Sequence, residues 1–268
     1  MFDKWITQLE YYKNDYKTGN PFNYTIIPMF FKEELARELN NNFPIPSIDD
    51  KKWNYYHNPL EHKYSLNNFD EYPNIKAVFE YLQGSEFIKY ISDITGIEDL
   101  EIDPYLHGAG LHIYPNNGKL DIHLDYNIHP ITKKERRVNL IIYLNDDWNE
   151  EYGGYLKLYD NELNEVKMKK YSLWNTAILF RTSDISYHGL PEPIKCPNDK
   201  YRKSLAIYYV SKPRDNLIER YKAEFFPKPN QILNDNLKKL YEIRKERLIT
   251  NEDLKEYPNW ENDGNGYW

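Results

Sequence analysis

Between Glu101 and Ser211 the sequence breaks into short β-rich runs, Leu111–Tyr114, Leu120–Asp125, Val138–Leu144, Tyr155–Tyr159, Ala177–Arg181 and Leu205–Ser211, with turn signals between them and no long helical segment. This spacing constrains the fold more than any other feature. Parallel strands need a crossover of about a dozen residues or more, usually a helix, so these runs must pair antiparallel in a sandwich or barrel. Helical periodicity lies on either side. Tyr24-Thr-Ile-Ile-Pro-Met-Phe reads as a strand, Leu35, Leu39 and Phe43 recur at helical spacing over 31–42, and the pattern returns over Ile75–Leu82 and Glu86–Ile94, where Gly96 makes a stop. After Pro213, Leu237, Leu240, Ile243 and Leu248 mark a helix over Asn234–Leu248, and the acidic, Asn- and Gly-rich tail from Asn251 reads as loose apart from its Trp residues. With no internal repeat and no Gly/Ser or Pro-rich linker, the expectation is one domain over 1–268, mainly β with flanking helices. It divides into a mostly helical support (1–100), a β-core (101–212) and a helical C-terminal extension (213–268).

Composition sharpens this. Mean hydropathy is low, −0.85, but 26 Tyr and an aromatic content of 16% supply rings that bury well while scoring as polar, so the chain is globular and large enough to bury about three quarters of its unfolded surface. The formal charge of −7 suits phosphate backbones poorly, and nucleic acid is disfavoured as a partner. No apolar run approaches the roughly 18 residues of a membrane span, and Asp3 and Lys4 interrupt the stretch where a signal peptide would be apolar. The single Cys196 excludes an internal disulfide and any multi-Cys metal site and suits a reducing compartment, so a soluble cytoplasmic protein is expected. His, Asp and Glu remain as metal ligands.

In Leu120-Asp-Ile-His-Leu-Asp the strand period of two sends His123 and Asp125 to one face. A third ligand must come from a distant strand, and Tyr187-His188-Gly189 follows the apolar strand 177–180. Two His and one carboxylate with open positions is the set that suits non-haem Fe(II). Taken alone, His-x-Asp is more often a hydrogen-bonded surface pair. Arg202-Lys-Ser204 opens the last apolar strand, where a buried Arg is costly unless it meets an anion; the plain alternative is a strand-end Arg in solvent.

The run from Leu111 to Ser211 resembles the double-stranded β-helix (jelly-roll) of the 2-oxoglutarate and Fe(II)-dependent oxygenases, in the prolyl-4-hydroxylase-like branch. The matching residues are His123-x-Asp125, Asn139-Leu-Ile-Ile-Tyr-Leu-Asn-Asp-Asp-Trp148, Tyr152-Gly-Gly-Tyr-Leu-Lys-Leu-Tyr159, Tyr187-His-Gly and Arg202-Lys-Ser-Leu-Ala-Ile-Tyr-Tyr; Pro21–Leu35 and Asp103–His112 resemble the branch's entry elements. The resemblance implies iron held by His123, Asp125 and His188. It implies that Arg202, helped by Ser204, grips the distal carboxylate of 2-oxoglutarate, with Tyr143 hydrogen-bonding the same carboxylate and Tyr114 lining the pocket; Lys203 is the adjacent alternative to Arg202, though strand alternation sends it to the opposite face. It also implies Fe(II), 2-oxoglutarate and O₂ as reactants, ascorbate as an accessory reductant, and hydroxylation rather than halogenation, since the carboxylate ligand is present. The expected substrate is a prolyl or other protein or peptide side chain; a small molecule or sugar-containing intermediate is the alternative, and a non-oxidative cupin-type barrel a remote one.

The remaining candidates have plainer readings. His112 and Asn139 fit pocket or core positions equally. His107 and His129, in loops, and His57 and His62 read as solvated, and Lys133-Lys-Glu-Arg-Arg137 reads as a solvated turn before it reads as a basic patch beside the site. Gly153-Gly154 reads as a backbone requirement at a strand entry, the Pro191, Pro193 and Pro197 loop as a rigid link near the metal, and Cys196 as inert. Sequence leaves the oligomeric state open.

Overall fold

Strand pairing is antiparallel throughout the computed structural model, which describes residues 1–47, 50–229 and 231–259. The N-terminal part runs α1 (Leu9–Lys17), β1 (Tyr24–Pro28), α2 (Glu33–Asn41), β2 (Asn54–Asn58), β3 (Glu61–Leu66), α3 (Pro73–Leu82) and α4 (Ser85–Thr95). The middle is strands, broken only by a 3-10 turn at Glu150–Tyr152: β4 (Glu101–Ile102), β5 (Gly110–Tyr114), β6 (Lys119–Leu124), β7 (Glu135–Leu144), β8 (Lys157–Tyr159), β9 (Glu165–Val166), β10 (Trp174–Arg181), β11 (His188–Leu190) and β12 (Arg202–Ser211). Then come β13 (Glu224–Phe226), α5 (Asp235–Glu246) and α6 (Asn251–Glu256). The sheet runs β1-β10-β7-β12-β5-β3-β6-β11-β8-β9, with β13 on β6, β2 on β3 and β4 on β12, and curls into the antiparallel architecture that the strand spacing predicts.

Period-two alternation decides which side chains meet the helices. Leu140 and Ile142 of β7, and Leu205, Ile207 and Tyr209 of β12, join one large apolar cluster with Leu39 of α2, Phe79 of α3 and Phe87 and Ile91 of α4. Each such side chain stabilises the fold by about 1.5–3 kcal/mol. The Tyr209 hydroxyl caps the packing by donating to the Leu82 carbonyl at 2.9 Å. The alternate residues, Asn139, Ile141, Arg202, Ser204, Ala206 and Tyr208, face the other way and line a cavity of about 440 Å³. One sheet face thus carries stability and the other the site.

Helices α2, α3, α4 and α5 fall where periodicity predicts them, and Gly96 ends α4 in the left-handed conformation (φ 73°). Three strands lie in the N-terminal hundred residues that sequence reads as mostly helical: β1 extends the sheet on β10, and β3, hairpinned to β2, pairs with both β5 and β6. The hairpin escaped periodicity because Asn54-Tyr-Tyr-His-Asn and Glu61-His-Lys-Tyr-Ser are polar on both faces. The tail is corrected at its start. Instead of a loose segment from Asn251 the chain forms α6, closed by a reciprocal Thr250–Asp253 capping box. Trp260 and Trp268 lie outside the described residues.

Candidate metal centre and anion pocket

His188 on β11 lies directly opposite His123 on β6 in the antiparallel register, and Asp125 follows β6 by one residue. Ligand-capable atoms of His123, Asp125 and His188 all lie within 4.8 Å of one another, the only such group among the described residues, and all three side chains are buried. Each imidazole is oriented by its far nitrogen: Nδ1 of His123 is 2.9 Å from the Asp121 carbonyl and Nδ1 of His188 is 2.8 Å from the Ser186 carbonyl. A carbonyl accepts only, so Nδ1 carries the proton and Nε2 offers its lone pair. Both Nε2 atoms sit 3.6 Å from Asp125, one on each carboxylate oxygen. Burial, with His123 alongside, pushes the His188 imidazole down to about 3, keeping it neutral. Ring contacts lock the pair: Phe225 of β13 stacks on His123 at 5.3 Å and Phe180 meets His188 edge-on at 4.8 Å.

Arg136 is the residue that sequence missed. The Lys133–Arg137 segment is not a solvated turn: Glu135 and Arg136 are 1% exposed, and Nη2 of Arg136 donates to Oδ2 of Asp125 at 2.8 Å. Its guanidinium packs between the rings of Tyr126 and Tyr208, and Asn139 adds a contact of 3.4 Å to the same Oδ2. Burial alone would raise the Asp125 carboxyl; Arg136, His188 and His123 outweigh it and hold the group well below the carboxylate range. The backbone is held too, since Nε of Arg220 donates to the Asp125 carbonyl at 2.8 Å.

Farther along the cavity, Arg202 is 2% exposed and opens β12 with Ser204 and Ala206 on its face. Nε of Arg202 donates to the Gly154 carbonyl at 3.0 Å, Nη1 reaches Ser204 Oγ at 3.4 Å, and the guanidinium lies 4.8 Å from the Tyr114 ring and 4.6 Å from that of Tyr143. Gly154 holds φ +79°, and a Cβ there would come within 3.1 Å of Ile194 and 3.5 Å of Arg202, so the glycine serves the close approach. Among the described residues no carboxylate pairs with Arg202, and the Tyr143 hydroxyl is buried without a hydrogen-bond partner. An unpaired buried hydroxyl costs about 1–3 kcal/mol, so the pocket is built for an acceptor that the protein does not supply.

Supporting residues fix the strand ends. Asn145 at the end of β7 donates to the Lys203 carbonyl at 2.9 Å and accepts from its amide at 2.6 Å. Lys203 itself points to Asn40 of α2, on the face opposite Arg202. The proline-containing link is pinned at Ile194, whose backbone bonds Asn117 and Gly118. Cys196 is buried and its thiol is pushed up by that burial. His112 faces the cavity, where burial, Lys63 and Arg202 push it down to about 3. His129 corrects a sequence expectation: it is fully buried, its Nδ1 accepts from the Ile131 and Thr132 amides, and its Nε2 lies 3.1 Å from Asp103. It staples two loops beside the cavity.

Residues 109–210, which include His123, Asp125, Arg136, Tyr143, His188 and Arg202, match the profile of the 2OG-Fe(II) oxygenase superfamily. The mouse prolyl 3-hydroxylase OGFOD1 (Mus musculus) is 25% identical over 186 residues, 65% of this chain and 30% of that protein, so the chain spans less than a third of the relative it matches. A prolyl hydroxylase of Trichoplax adhaerens, solved with a hypoxia inducible factor oxygen degradation domain peptide fragment, aligns with a TM-score of 0.56 at 20% identity over 78% of this chain and 94% of its own. The prolyl-4-hydroxylase of Pseudomonas putida gives 0.51 at 17% identity over 77% of this chain and 100% of its own. These structures share the fold.

Proposed function

We propose that this chain, whose residues 109–210 match the 2OG-Fe(II) oxygenase superfamily, is a member of that family and an Fe(II)- and 2-oxoglutarate-dependent hydroxylase acting on a prolyl side chain of a protein or peptide. The observation that carries the reading is the convergence of two Nε2 lone pairs and one carboxylate, each imidazole oriented through its far nitrogen. Neutral nitrogen and anionic oxygen donors with open positions suit Fe(II). The Arg202 and Tyr143 donors, which no carboxylate among the described residues satisfies, suit the distal carboxylate of 2-oxoglutarate. The prolyl assignment is supported by the mouse relative, a prolyl 3-hydroxylase.

Bound iron with 2-oxoglutarate and O₂ supplies C–H hydroxylation coupled to decarboxylation of the co-substrate to succinate. The chain's own contribution is placement. His123, Asp125 and His188 hold the metal, Arg136 turns the Asp125 carboxylate, and Arg202, Ser204 and Tyr143 grip the far end of the co-substrate while Tyr114 walls it. Ile141 and Leu156 keep the inner cavity apolar. No helix among the described residues is long and apolar enough to cross a membrane, and the lone cysteine accords with a cytoplasmic setting.

The test has two parts. Under nitrogen, Fe(II) plus 2-oxoglutarate gives the weak visible charge-transfer band of the chelate. In air, with ascorbate as reductant, a proline-containing peptide gains about 16 Da only when 2-oxoglutarate is present. Absence of both the band and succinate removes the oxygenase reading.

A further inference from the structure

The cavity that holds the candidate metal centre is positively charged in a chain of net charge −7. Its walls carry five cations, Lys63, Arg136, Arg202, Lys222 and Arg244, against two carboxylates, Glu61 and Asp125. Divalent iron and the 2-oxoglutarate dianion cancel each other, so the cavity keeps its surplus of three. Arg136 is committed to Asp125 and Arg202 to the co-substrate pocket. That leaves Lys222 and, where β3 meets α5, the cluster of Lys63, Arg244 and Glu61 with a net charge of plus one.

There, Glu61 is 2% exposed and takes two cations at once, Nζ of Lys63 on Oε2 and Nε of Arg244 on Oε1, both at 3.3 Å. Both contacts are longer than the roughly 2.7–2.9 Å of a well-made charge-assisted bond. Arg244 uses only Nε, with its guanidinium 4.8 Å from the Phe225 ring, and Lys63 lies 5.3 Å from the Tyr56 ring. A neighbouring ion cluster shows what a purely structural version looks like. Lys119 and Asp121, one strand away, are 2.8 Å apart, the lysine also donates to the Pro59 carbonyl, Tyr241 closes the carboxylate at 2.8 Å, and neither lines the cavity. The Glu61 cluster instead faces the cavity with one carboxylate for two cations. Burial would lower the Lys63 ammonium, but Glu61 and nearby phenols hold it above the usual lysine value. Burial would likewise raise Glu61, but Lys63 and Arg244 hold it low, so all three groups are charged.

We propose that Lys63 and Arg244, buttressed by Glu61, bind a carboxylate-bearing residue of the peptide substrate, making this hydroxylase selective for prolines in acidic sequence. The inference rests on the peptide-hydroxylase reading and adds the substrate's charge to it.

The test uses synthetic decapeptides with one central proline flanked by Asp and Glu, by Asn and Gln, or by Lys and Arg. The full chain with Fe(II) is assayed for hydroxylation in air and, under nitrogen with 2-oxoglutarate, for peptide binding by fluorescence anisotropy. The wild type is expected to favour the acidic over the amide peptide by about tenfold in affinity and in kcat/KM. Lys63→Met and Arg244→Met each abolish most of that preference, and Lys63→Arg restores it. Glu61→Gln, which removes the competing charge and leaves one carbonyl acceptor where the carboxylate had two, raises the preference about threefold. That opposite sign is not a result of general damage to the fold. Equal use of all three peptides by the wild type, or an unchanged ratio in both methionine variants, overturns this inference and leaves the hydroxylase reading standing. Failure of every peptide to bind or react overturns both.

Discussion

Asp125 has Arg136 and Asn139 on one oxygen and an imidazole facing each, whereas Arg202, also buried in the same cavity, meets only a carbonyl and a hydroxyl. At the first end the protein supplies counterparts to its own charges, so the three ligands keep their mutual geometry through internal contacts. At the second end donors outnumber acceptors. Burying a guanidinium without a carboxylate is tolerable only if an anion arrives, so that end is specified by its occupant. The same strands build both ends, yet one is preorganised by pairing and the other by the absence of pairing.

The largest effect should follow from His123→Ala, which removes a ligand outright: Fe(II) retention and succinate formation fall by more than the 10–100-fold that loss of an outer partner costs. Retained iron after desalting breaks the metal assignment. Arg202→Ala removes the only buried cation at the other end, and the 2-oxoglutarate KM should rise about 30-fold or more, with a smaller fall in kcat at saturation. A normal KM means that the carboxylate anchor lies elsewhere. Arg136→Gln tests whether the first end depends on its internal partner. Fe(II) affinity is expected to drop about 10–100-fold, with Arg136→Lys intermediate, while the 2-oxoglutarate KM moves little. If iron affinity holds and the co-substrate KM shifts, the division between the two ends is wrong. Tyr143→Phe deletes one hydroxyl and should raise the 2-oxoglutarate KM about 3–10-fold, the value of one hydrogen bond.

The smallest effect concerns the opposite face of β12. Burial lowers the Lys203 amine to about 8, below its unfolded value, so the unfolded chain binds more protons between about pH 8 and pH 10.5 and stability from this group rises through that window. Lys203→Met should therefore be stabilising at pH 7 by about 1 kcal/mol, discounted for partial exposure, and the gain should vanish near pH 10. Denaturant midpoints at the two pH values check it.

Much of the site was legible because strand alternation is a local rule. His123 and Asp125 share a face by parity, Arg202 and Ser204 do likewise, and Lys203 falls opposite. Arg136 was illegible for the same reason inverted. Tyr209 pairs with Val138 but Val210 pairs with Arg136, so β7 carries one extra residue at Arg137. That bulge turns Arg136 rather than Arg137 toward Asn139 and Asp125, and parity counted from Tyr143 picks the wrong arginine. His129 was missed because its partners, two backbone amides and a carboxylate 26 positions earlier, exist only in the folded chain. The β2–β3 hairpin and β13 carry no apolar alternation; their pairing on β5 and β6 is backed by single buried side chains, Leu66 in the main core and Phe225 beside Leu60, Leu237 and Tyr241.

Asp121 joins two parts of the chain that no motif connects. Its carbonyl accepts from the imidazole of His123, and its carboxylate accepts from Tyr241 on α5, 120 residues downstream. Helix α5 contributes no candidate metal ligand, yet its docking closes the residue that aims one. A chain lengthening from its N-terminus therefore carries His123, Asp125 and His188 well before it carries the last support for their alignment.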